Sequence, residues 1–294
     1  MAKSNQEKQN VSTKPSSSAG FSAGLKPARL TGLRAWFFQD NLPSEEMCSW
    51  VFDVFHWLSP RLDSHFSPKL VLPSEAFFPV EETASPDEIA SGIFQKMLRH
   101  AGIQNHNFAI QALAAEGSTV DLMGRDYAFG SGAPRRGAIS GLEIDDDIVI
   151  RYAPHLVHRP EALISVFAYE LARALVSYSY KKGDALPGVD KLEGPFLEVA
   201  AIYLGFGVCS ANSVFEQVSV QNLQTQGWDT HMLGELSEIE VSYALALFMA
   251  LHDENLKNAA PFLRTNPKAY VKSSLRYLRR EGMDAVRDLQ LPTT

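Results

Sequence analysis

Tyr169, Glu170 and Arg173 interrupt a stretch, residues 161–181, that is otherwise almost wholly apolar. Leu163, Ile164, Val166, Phe167, Leu171, Ala172, Leu175 and Val176 leave it hardly any polar face, so the spacing predicts a central, buried helix. On that helix Tyr169 and Arg173 share a face, and Glu170 and Arg173 lie one turn apart. A carboxylate and a guanidinium in such surroundings are costly unless they are paired. Glu198 poses the same question in the apolar run 196–204, which opens at Pro195 and meets a helix break or kink at Gly205-Phe206-Gly207. The chemistry open to these groups is general acid–base work, anion binding by Arg173, or mutual neutralisation. His155 and His158, three apart, have a spacing that metal ligands use, although an exposed loop between a strand and a helix is the plainer account. His56, His65, His100, His106, His231 and His252 show no such spacing. Gly130-Ser131-Gly132 beside Arg135-Arg136 has the make-up of an anion-binding loop, but no strand–loop–helix pattern surrounds it, and a surface loop is expected.

The elements that position these groups are announced by their ends. Ser44 caps a helix through Trp50, Val51, Val54, Phe55 and Trp57 that is expected to stop before Pro60. Ser85, Pro86 and Glu88 spell an N-cap, a first-turn proline and a capping-box glutamate, with Gly102 as the stop. Ser237 and Glu240 repeat the box ahead of Val241, Ala244, Leu245, Phe248 and Leu251. Asn266-Pro267 opens a last helix that Gly282 should end. Strand signals are 69–72, 108–113 and 148–152, the last two separated by a glycine-rich loop over 124–141. Helices and a small sheet followed by an almost wholly helical second half predict an α+β fold.

Composition narrows the function classes. The 294 residues are 45% hydrophobic and 10% aromatic, enough for a large core, and no internal repeat is present. The formal charge of −7 argues against a dedicated nucleic-acid binder. Residues 1–28, rich in Ser and Lys, are expected to be a disordered basic tail, with one domain over 29–294. Cys48 and Cys209 cannot form a disulfide framework, which fits a reducing compartment. No apolar run at the N-terminus could serve as a signal-peptide core, and the stretch 196–208 is expected to be too short to cross a bilayer. A bacterial-type cytoplasmic protein with no membrane span is the expectation.

The segment Ile164-Ser165-Val166-Phe167-Ala168-Tyr169-Glu170-Leu171-Ala172-Arg173 resembles the active-site helix of a zincin metalloprotease with both histidines replaced: the pattern A-H-E-L-A-H reads A-Y-E-L-A-R here. The chain is similar to a group of uncharacterised bacterial zincin-like proteins over roughly residues 68–255. Three further blocks carry the likeness: 70–79 (LVLPSEAFFP), 158–164 (HRPEALI) and 194–208 (GPFLEVAAIYLGFGV). The resemblance implies a zincin-like α+β fold, a small mixed sheet packed on the buried helix with a helical C-terminal half. In such proteins the two histidines bind zinc and the glutamate between them activates the bound water. Tyrosine is a poor zinc ligand at neutral pH, and arginine, always protonated, cannot ligate. The third ligand of gluzincin-type members aligns with Gly194, with Glu193 one residue away as the other equivalent, and Glu198 takes the place of the acidic residue behind the ligands.

The function this implies is that of a catalytically inactive metalloprotease homologue. It would serve as a scaffold or protein-interaction module, with no zinc and another protein as partner. Arg173 is then expected to fill the vacated metal site and neutralise Glu170 and Glu198. The alternatives are an active zinc hydrolase with substituted ligands, His155, His158, Glu193 and Glu198 being the candidates, and a protein that binds a small anion through Arg173.

Overall fold

Ser85, Pro86 and Glu88 start helix α2 (Pro86–His100) as their order predicts. Glu88 Oε2 accepts from Ser85 N at 2.7 Å, and Ser85 Oγ from Glu88 N at 3.3 Å. The computed structural model describes residues 41–62, 68–74, 78, 85–103, 108–113, 140–144, 148–180, 186–188, 194–222 and 225–290. The basic tail 1–28, the segment with Gly130-Ser131-Gly132 and Arg135-Arg136, and Glu193 lie outside the described residues. Before α2 runs α1 (Glu45–Leu62). It passes through Pro60 instead of stopping short of it. A proline in the last turn removes one N–H bond to His56, whose side is exposed to water. Arg61 Nη1 meanwhile donates to the Trp57 carbonyl at 3.0 Å and its guanidinium lies 4.0 Å from the Trp57 ring centroid, while buried Leu62 anchors the end.

Strands β1 (Phe108–Ala112), β2 (Ser140–Ile144) and β3 (Ile148–Tyr152) form a mixed sheet with β3 in the middle, parallel to β1 and antiparallel to β2. β2 is not among the expected strands, and its first two residues fall in the stretch 124–141 expected to be a glycine-rich loop. The sheet packs on α3 (Pro160–Ser179), where the Phe167 ring meets Tyr152 of β3 at 5.4 Å and Phe94 of α2 at 5.2 Å. α3 is central, as its composition requires: Leu163, Ile164, Val166, Phe167, Ala168, Leu171 and Ala172 are buried.

Next come α4 (Pro195–Ala201), a π turn (Ile202–Phe206) and α5 (Gly207–Ser213), with Gly205 leaving helical geometry at φ 95°. The whole run Pro195–Ser213 is long and apolar enough to cross a membrane, longer than the apolar stretch 196–208 expected from sequence, yet residues 196–213 are all buried inside the fold. Residues 69–72 are not a sheet strand. They cross the helix break, where Val71 N donates to the Gly205 carbonyl at 2.9 Å. Their hydrogen-bonding partner is the broken helix, so two of the blocks that carried the family resemblance meet here.

The second half departs from the helical expectation at β4 (Phe215–Asn222) and β5 (Thr225–Met232), an antiparallel hairpin. Helix α6 (Glu238–Leu251) follows, capped by the Ser237–Glu240 box and buried on most of its surface. After α7 (Leu256–Ala259), α8 (Thr265–Tyr277) does not end at Gly282. A π turn (Leu278–Gly282) carries it into α9 (Met283–Gln290), because Val286 and Leu289 still have core to cover. One hydrophobic core runs from Cys48 to Leu289, and the fold is α+β.

Candidate functional site

Burial of α3 puts Tyr169 and Glu170 out of water, Glu170 at 0% exposure, and gives each a neighbour. Arg173 Nη2 donates to Glu170 Oε1 at 3.0 Å; the Arg173 side chain keeps 28% of its surface exposed. The guanidinium carbon also lies 5.5 Å from the centroid of the Tyr169 ring. Tyr169 Oη accepts from Gly194 N at 3.0 Å, which fastens the start of α4 to the middle of α3. Desolvation pushes the Tyr169 phenol up, and the Gly194 N–H and the Arg173 charge only partly offset it, so the phenol is neutral at physiological pH. A neutral phenol engaged by a backbone N–H offers a metal little.

Gly194 itself sits at φ 61°, in the left-handed region. A Cβ there would come within 2.9 Å of a Glu235 carboxylate oxygen. Gly194, which the resemblance leads one to expect in the place of a third metal ligand, carries no side chain, and an exposed carboxylate from another part of the chain lies beside it. Glu235 was not singled out from the sequence. Its signal there would have been the Gly234-Glu235 pair just before a capping box, an ordinary turn until the tertiary structure is known.

Glu198 corrects the expected three-member network. Among the described residues the ion pair of Arg173 is with Glu170, while the Glu198 carboxylate, 3% exposed, faces the turn that leads into α6. Its Oε1 accepts from Glu235 N at 2.7 Å and its Oε2 from Leu236 N at 3.3 Å. Gly234, at φ 115°, makes the approach possible, since a Cβ would stand 2.5 Å from Glu198 Oε1. The β4–β5 hairpin delivers this turn; it is not evident in the sequence, where Arg173 is the expected partner of Glu198. Two backbone donors solvate a buried carboxylate well, so it does not need the guanidinium. Replacing Glu198 by alanine leaves the buried Leu236 N–H without its acceptor and should cost about 2–3 kcal/mol in urea or guanidinium denaturation. A loss below about 0.5 kcal/mol, the level of a neutral surface change, would show that the turn is held by other means.

His155 and His158 stand apart from this cluster. They lie on a 3₁₀ turn (Pro154–His158) before α3, with His158 exposed and His155 half-buried. From there to Tyr169 is about 15 Å along the helix. A second polar group, unseen in the sequence, closes that end of the fold. Asn212 Nδ2 donates to Glu161 Oε1 at 2.6 Å and to the Phe262 carbonyl at 2.7 Å, and Asn212 Oδ1 accepts from Arg264 N at 3.0 Å. Arg264 also reaches Glu161 at 3.4 Å. Every named member has a partner, so the group works as a clamp between α3, α5 and α8.

Both thiols are buried. Burial pushes Cys48 up to about 11, and Cys209 higher still, which leaves neither as a nucleophile at neutral pH. Among the described residues no group of three His, Cys, Asp or Glu side chains stands where it could hold a metal ion. The arrangement is chemically a neutralised one: a cation on a buried carboxylate, a phenol on a backbone N–H, and a second carboxylate on two more. Comparisons of the chain with protein-family models, with curated proteins and with solved structures give no match.

Proposed function

We propose that this chain is a zincin-like protein whose metal site has been replaced by internal polar contacts and that it acts as a scaffold or protein-interaction module, not as a peptidase. The observation that carries the reading is the Arg173–Glu170 contact at 3.0 Å. The glutamate in the place of a water-activating base has a permanent cation on it, contributed by the position where a second histidine would stand. An arginine cannot release its proton to ligate, and its guanidinium sits on the carboxylate that would otherwise activate a bound water. The Tyr169–Gly194 bond supports the same reading, because it closes the space between α3 and α4 with a hydrogen bond.

The test restores the histidines. Tyr169→His with Arg173→His should give a protein that takes up about one zinc per chain, measured by metal analysis after dialysis. Glu235, whose carboxylate lies beside Gly194, is available to complete the set. The unmodified chain, purified without chelator, should carry no stoichiometric zinc and cleave no casein or unstructured peptide. Tight zinc in the unmodified chain would overturn the proposal, and so would a double variant that folds and binds none.

A further inference from the structure

Helix α8 and the π turn behind it carry Lys268, Lys272, Arg276, Arg279 and Arg280, all exposed, against one acid, Glu281. Lys268, Lys272, Arg276 and Arg280 follow one another at intervals of four, and Arg279 is three beyond Arg276, so the five form one stripe about 18 Å long. The opposite face, Pro267, Val271, Ser274, Leu275 and Leu278, is buried in the core. Like charges at this spacing repel one another, and soluble surfaces ordinarily intersperse opposite signs. Here Lys268, Lys272, Arg279 and Arg280 form no ion pair among the described residues, while the acids gather further on in α9, where Asp284 faces Arg287 at 3.4 Å. This concentrated positive stripe lies on a chain whose net charge is −7.

We propose that the stripe docks an acidic segment of a partner protein, one that presents Asp and Glu along a helix or an extended strand of matching length. Charge complementarity names the sign of the occupant, and shape and surroundings name its class. Stable anchoring on a bilayer takes an apolar group beside the cations, and the apolar side of α8 is spent on the core. Duplex nucleic acid is broad and long, and the acidic remainder of the chain would repel what lies beyond one helix width. A narrow acidic segment meets the cations alone. The inference rests on the interaction-module reading and supplies its partner class. It is independent of the metal-site substitution, because the variants below leave Tyr169, Glu170 and Arg173 in place.

The experiment uses the full chain and a fluorescein-labelled peptide of about fourteen residues with Glu at i and i+4, long enough as a helix to lie along the stripe. Fluorescence anisotropy at physiological ionic strength should show binding that weakens as salt is added. Lys268→Glu with Lys272→Glu and Arg279→Glu should weaken it by about tenfold to a hundredfold, three lost attractions being replaced by three repulsions. The same three positions changed to Gln should give a smaller loss in the same direction. They carry the test if circular dichroism shows that the charge-reversed chain has not folded. Absence of peptide binding, equal binding by either variant, or tighter binding to a duplex oligonucleotide or to phosphatidylserine vesicles would overturn the proposal. Failure here with the histidine-restored chain still taking up zinc would leave the metal-site reading standing and remove only the partner.

Discussion

Arg173→Ala is expected to lower stability by about 2–3 kcal/mol, below the roughly 3–5 kcal/mol for breaking a fully buried pair because the arginine is partly exposed. The loss arises less from the missing attraction than from what remains. Glu170, at 0% exposure in the middle of α3, would be left without its cation in an apolar core. Glu170→Gln in the same chain removes that charge and should return part of the loss, so the two sites are coupled. Glu198→Gln should return none of it, since Glu198 is bonded to the Glu235 and Leu236 amides and not to Arg173. Denaturation of the three single variants and the two double variants decides between these outcomes. Additivity of Arg173→Ala with Glu170→Gln, or rescue by Glu198→Gln, would sink the pairing described here.

Gly205→Ala should be worse, at about 3 kcal/mol or more, from backbone strain together with overpacking. The residue stands at φ 95°, where an L side chain is strained whatever the space. The space is also taken: a Cβ would run into the Lys69 carbonyl oxygen, lie 3.1 Å from the Lys69 carbonyl carbon and approach His100 Nε2 at 3.2 Å. Backbone cannot rotate aside as a side chain can. The segment over residues 69–72 must therefore lift, and the Val71 N–H, bonded to the Gly205 carbonyl at 2.9 Å, should lose its protection from hydrogen exchange. Gly92→Ala is the control. It lies on the exposed side of α2 with nothing near the added methyl, and alanine there should be neutral or stabilising by up to about 1 kcal/mol. Equal melting temperatures for the two variants would mean that residues 69–72 do not bear on the helix break as described.

Local signals decided a good part of this fold. The boxes at Ser85–Glu88 and Ser237–Glu240, the burial of α3 and the break at Gly205 are each written within a few neighbouring residues, because caps, periodicity and glycine's torsional freedom act over one or two turns. The pairing of Arg173 with Glu170 was legible for the same reason, three residues being one turn. Tertiary structure alone decided what lies far apart in sequence. Residues 69–72 have the composition of a strand but bond to a broken helix more than 130 residues away. The β4–β5 hairpin, in a half that read as helical, brings the Gly234–Leu236 turn under Glu198, and Glu235 beside Gly194. A buried carboxylate announces in sequence that it needs partners, since burial without them is costly. Which donors answer depends on where the backbone of another element happens to run.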